Sequence, residues 1–75
     1  HVLVIPKGEY TDFSDFTTHA SAEETAGFFA AVGKVAEQLG VVESGYRLVM
    51  NTGKNSGQEV PHLHVHILAG KKLPV

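Results

Sequence analysis

Apolar positions recur along the 75-residue chain in different rhythms, and each rhythm predicts an element. His1 to Ile5 is continuously apolar after its first residue and stops at Pro6. A short run of this kind is a buried strand, here followed by a turn over Pro6–Gly8. Phe13 and Phe16 stand three apart between Tyr10 and His19, which predicts a short helical turn beneath a loop. The spacing then lengthens. Phe28, Phe29, Val32, Val35, Ala36 and Leu39 recur at three- and four-residue steps, one stripe of a helix over 21–39. Ser21 and Glu24 open that helix as a capping box, and Gly40 closes it in the left-handed conformation. Gly27 and Gly33 each cost about 1 kcal/mol against Ala inside a helix, so their expected use is to admit another backbone at close range. Tyr46 to Thr52 reads as a strand, Gly53 to Gly57 as a polar loop, and Pro61 to Ala69 as a strand of strict alternation. A loop of that length joins antiparallel neighbours. The order predicts an α+β fold, an antiparallel sheet with one main helix packed on it, as a single domain over 1–75.

Composition narrows the function classes. The chain has no Cys, which excludes a disulfide framework and any Cys-ligated zinc or iron–sulfur site. Six basic and eight acidic residues give a net charge of −2, so no field exists for gripping the phosphate backbone of a nucleic acid. No apolar run approaches the ~20 residues that span a bilayer, and no charged-then-apolar leader is present. With 43% hydrophobic and 19% charged residues the chain is globular. Domains this small bury only about 60% of their unfolded surface and usually need a staple or a partner subunit. The start at His1, inside a strand, reads as a piece of a longer chain whose N-terminal part is absent.

The candidate chemistry lies in the last strand. His62, His64 and His66 alternate with Leu63, Val65 and Ile67. Successive strand side chains point to opposite faces, so the three imidazoles share one face at about 6.5–7 Å spacing while the apolar set enters the core. Three uses remain open on this pattern. The histidines are a solvated sheet face, or they ligate a metal with His1 or Glu59, or one of them is a nucleophile toward phosphorus. The third use needs one ring nitrogen free and the other donating to a fixed acceptor. The preceding residues suit it: Asn51 and Gln58 supply amides, Gly57 a backbone open to close approach, and Glu59 a proton donor or acceptor.

The segment from Gln58 to Leu68 (QEVPHLHVHIL) resembles the signature of the histidine triad (HIT) superfamily, in which three alternating histidines are separated and followed by apolar residues. His1 to Lys7 (HVLVIPK) resembles the family's earlier strand, which carries a fourth histidine. Asn51 stands seven residues before Gln58, as in the Hint-like branch. The resemblance implies a HIT-like fold with His64 as nucleophile, forming a covalent nucleotidyl–histidine intermediate that water hydrolyses. It implies that His62 and His66 flank His64, that His1 completes the cluster, and that Asn51 and Gln58 contact phosphate or bridging oxygens. Glu59 takes a position where some relatives carry a small hydroxyl residue; it either acts as a general acid or faces solvent. The implied activity is hydrolysis of purine nucleoside phosphoramidates or related AMP and GMP derivatives, in a cytoplasmic homodimer, without metal or other cofactor. Alternatives are a dinucleoside polyphosphate hydrolase, a nucleotide-binding module without turnover, and a metal site on the triad.

Overall fold

The computed structural model describes residues 1–74. Three strands, β1 (Val2–Val4), β2 (Arg47–Val49) and β3 (Val65–Leu68), form one antiparallel sheet in the order β1-β3-β2. The histidine-bearing strand is therefore central. Leu3 pairs with His66 on one side, and Val49 pairs with His66 on the other.

Two helices precede β2. The longer, α2 (Ala22–Gln38), starts with the expected capping box: Ser21 Oγ accepts from Glu24 N–H, and the Glu24 carboxylate accepts from Ser21 N–H. It ends at Gly40 with φ +71°, where Gly40 N–H donates to Glu37 and Val41 N–H donates to Ala36. That double bond is a Schellman closure, and it requires the left-handed residue that glycine supplies. Of the predicted stripe, Phe28, Val32 and Ala36 are buried, whereas Phe29 and Leu39 stay exposed.

The segment expected as a helical turn is a two-turn helix, α1 (Phe13–His19). Asp12 caps it by accepting from Asp15 N–H, and the Asp15 carboxylate accepts in return from Thr11 N–H. Phe16 is its buried residue, with its ring edge-on to both Tyr10 and Phe28. His19 is exposed and contacts the Asp15 carboxylate at 2.8 Å. No helix among the described residues is long and apolar enough to cross a membrane.

The core joins Phe16, Phe28 and Val32 to Leu63, Val65 and Ile67, each of the last three only 1% exposed. At about 25 cal/mol per Å² of apolar surface, this cluster is the main stabilising feature of the chain. All three strands are shorter than the sequence suggested. Pro6, with no N–H to donate, ends the stretch that could pair beyond β1. Among the described residues of this chain, no backbone makes the expected close approach at Gly27 and Gly33: a Cβ at either would meet nothing within 4 Å.

Candidate active site on the histidine face

Residues directly opposite in an antiparallel ladder share a face. The ladder therefore places Leu3, His66 and Val49 in one row of the sheet face turned away from Val65 and Ile67. Continuing both registers two residues further brings Ile5 and Asn51 level with His64. Leu3 and Ile5 are 50% and 54% exposed, so the imidazoles sit beside open apolar surface.

Only His66 lies within the regular strand, because β3 begins at Val65. The alternation of burial nevertheless persists from His62 to Leu68, so successive side chains keep changing sides ahead of the ladder. Three of the four histidines named from the sequence meet through their rings, and His62 joins them through its backbone oxygen. His1 Nε2 lies 2.7 Å from His66 Nδ1, one nitrogen donating and the other accepting. The His66 ring in turn stands edge-on to that of His64, with centroids 4.9 Å apart.

His64 Nδ1 lies 2.7 Å from the backbone oxygen of His62. A carbonyl can only accept, so the ring proton must be on Nδ1. In the neutral imidazole that leaves Nε2 with a free lone pair. His62 Nε2 is buried without a hydrogen-bond partner among the described residues. A buried polar atom in that state costs about 1–3 kcal/mol, so it gains by meeting a donor or acceptor. Among the described residues, no group of three or more His, Asp or Glu side chains converges in a metal-holding arrangement.

Of the residues ahead of the triad, Gln58 is the one held differently from the expectation. Gly57 (φ +83°) closes a 3-10 turn over Lys54–Ser56, and its N–H donates to Lys54. Gln58 does not present a free amide for a phosphate oxygen. Its Nε2 donates to Thr11 C=O (2.7 Å) and Val60 C=O (3.1 Å), and its Oε1 accepts from Gly53 N–H (2.8 Å). Glu59 is exposed and helps to line a polar cleft of about 360 Å³ with Thr11, Asp12, Lys54 and Pro61. His62 lines a separate cleft with Glu9, Tyr10, Thr11 and Pro61.

Sequence reasoning passed over Tyr10. Its hydroxyl donates to the Glu24 carboxylate at 2.6 Å, and its backbone oxygen accepts from Leu63 N–H at 2.7 Å. The bond to Tyr10 is the chief reason the Glu24 carboxyl is held below the usual carboxylate range, and the same bond pushes the phenol up. The Asp15 carboxyl is also lowered, first by Thr11 N–H and then by His19.

The family model described as HIT domain matches residues 1–73, and the chain belongs to that family. It is 53% identical over 73 residues to an uncharacterized 13.2 kDa HIT-like protein of Azospirillum brasilense, covering 97% of this chain and 60% of that protein. It is 43% identical over 74 residues to the purine nucleoside phosphoramidase of Escherichia coli strain K12, again covering 97% of this chain and 60% of the relative. Among solved structures, a HIT family hydrolase from Legionella pneumophila Philadelphia 1 superimposes with a TM-score of 0.85 at 36% identity, over 96% of this chain and 63% of that one. The chain thus spans about three fifths of the length of the relatives it matches.

Proposed function

We propose that this HIT-domain chain belongs to a hydrolase that cleaves purine nucleoside phosphoramidates or related nucleotidyl substrates, with His64 as nucleophile. The observation that carries the reading is the 2.7 Å bond from His64 Nδ1 to the His62 carbonyl, which in the neutral ring puts the lone pair on Nε2. The likeness to a purine nucleoside phosphoramidase supports the substrate class. The exposed Leu3 and Ile5, on the same face as His66 and His64, offer apolar surface that a planar base can cover.

In the proposed reaction the Nε2 lone pair attacks the α-phosphorus, a P–N bond to the ring forms, and the P–N bond to the amine breaks. The amine leaves with a proton taken from a neighbouring acid. The ring becomes a substituted imidazolium that keeps its Nδ1 proton, and the His62 carbonyl stabilises the new charge. Water then attacks phosphorus and returns its proton to the group that protonated the amine, the bond to Nε2 breaks, and the nucleoside monophosphate departs. The His1–His66 pair supplies polar groups beside the transferred phosphate.

Incubating the full-length protein with adenosine 5′-phosphoramidate, with and without a chelator, tests this reading. The expected result is AMP release insensitive to chelation, with a transient adenylyl adduct on the peptide that contains His64. Tight binding without turnover would leave a nucleotide-binding module. Activity lost on chelation and restored by zinc would replace the nucleophile with a metal site.

A further inference from the structure

The oxygen that sets the His64 tautomer belongs to a segment the sheet does not hold. β3 begins at Val65, so the peptides of His62 and Leu63 lie ahead of the ladder. An unanchored carbonyl would wander, and a ring bonded to it would exchange tautomers as it moved. Two sets of bonds from elsewhere fix this segment. Leu63 N–H donates to Tyr10 C=O. The Val60 oxygen accepts from His62 N–H at 2.9 Å, a three-residue turn at Pro61. That same oxygen accepts from Gln58 Nε2 at 3.1 Å.

The Gln58 amide reaches three separate stretches of backbone. It ties Thr11, 47 positions away in sequence, to Gly53 and to Val60. Two donors and an acceptor on one planar group, at the end of a two-methylene stem, are what this junction uses. Glutamate keeps the stem and the acceptor but loses both donors, and it sets a carboxylate against two carbonyl oxygens. Alanine loses all three bonds.

We infer that Gln58 is a positioning residue: through Val60 it anchors the His62 carbonyl, and that carbonyl keeps the proton of His64 on Nδ1. The inference rests on the reading of His64 as nucleophile. The run of contacts is continuous, from Gln58 Nε2 to Val60 O, from His62 N–H to the same oxygen, and from His62 O to His64 Nδ1. Gln58 touches no reacting atom in this arrangement. Its effect falls on the fraction of enzyme whose nucleophile carries its proton on the correct nitrogen, which lowers kcat and spares KM.

The test is long-range proton–nitrogen correlation on histidine-labelled full-length protein, for the wild type, Gln58→Glu and Gln58→Ala. Steady-state kinetics with adenosine 5′-phosphoramidate and thermal melting accompany it. The wild type should show His64 as a single Nδ1–H tautomer. Both variants should show a mixture with Nε2–H, kcat reduced about tenfold and KM within about twofold. A wild-type His64 protonated on Nε2 overturns the inference without any variant having to fold. Folded variants that melt lower, yet keep the tautomer and kcat, overturn it too, because Gln58 is then a brace only. A tautomer shift in a protein without hydrolase activity supports the positioning role while removing the proposed reaction.

Discussion

Leu63, Val65 and Ile67 are each 1% exposed, whereas His62, His64 and His66, their immediate neighbours in sequence, stay only part-buried. The two sets share one stretch of backbone and differ only in which face they occupy. The apolar set packs against Phe16, Phe28 and Val32, and its burial drives the chain into this conformation. The imidazoles make few contacts that folding depends on, and they inherit their spacing from the buried set. A strand with period two thus separates stability from chemistry over a distance of one residue. The same arrangement puts His66 on the strand that is paired on both sides, with His64 and His62 just ahead of it.

The separation is tested most severely by His64→Ala. Removing a nucleophile typically costs on the order of 10⁴-fold in kcat, with only the binding and electrostatic contributions of the site remaining. The stability loss should be limited to one part-buried hydrogen bond, about 1 kcal/mol, or about 4–8 °C of melting temperature. Kinetics with adenosine 5′-phosphoramidate and a thermal melt on one preparation measure both. Full activity in the variant would remove His64 from the reaction. A collapse of the melting temperature would show that the histidine face carries the fold as well.

Ile67→Ala is the mirror experiment, three positions along the same strand. Truncating an isoleucine that is 1% exposed leaves a cavity against the helices and costs about 2–5 kcal/mol. That is a large part of the ~5–15 kcal/mol by which domains are stable. Urea unfolding should show a lower midpoint at unchanged slope, while kcat of the folded fraction stays within about threefold. If the folded variant loses as much activity as His64→Ala, the two faces are not separable.

What could be read from the sequence follows the range of the interactions. The alternation over 62–68 and the Ser21–Glu24 capping box are local, so the face of each histidine and the start of α2 were legible without a structure. The left-handed Gly40 was legible for the same reason. The α1 helix was under-read because half of its support is nonlocal: the Asp12 cap is local, but the burial of Phe16 against Tyr10 and Phe28 is not. The strands came out shorter because their ends depend on partners. Among the described residues no strand residue lies opposite His62, so the chain there has no ladder to join. The bond from Gln58 to Thr11 spans 47 positions, and nothing in the local pattern announces it. Tyr10 went unnoticed on the same grounds: one of its bonds reaches helix α2 and the other the histidine segment.

That last connection gives the smallest effect and the finest test of how the two faces are coupled. Tyr10 joins Glu24, on α2, to the peptide of Leu63, between two of the histidines. The bond from Tyr10 is the first cause of the lowered Glu24 pKa, followed by the Ser21 N–H, against a usual value of 4.5. A carboxyl with a folded-state pKa below its unfolded value adds stability at pH above the unfolded value, and that contribution disappears as pH falls through the folded one. Tyr10 runs the opposite way. Its pKa is raised above 10.0, chiefly by the bond to Glu24, so its contribution is present below that value and disappears as pH rises through the folded one. Glu24→Gln keeps an oxygen that can accept from the phenol but removes the charge. The stability difference between wild type and Glu24→Gln should therefore be greatest near neutral pH and shrink from about pH 5 downward, as the wild-type carboxylate takes up its proton. Urea midpoints collected between about pH 6 and about pH 3 measure it. Both groups stand at the solvent surface, so the change should be small, and parallel curves through that window would mean that the Tyr10–Glu24 bond adds nothing to the anchoring of the histidine segment.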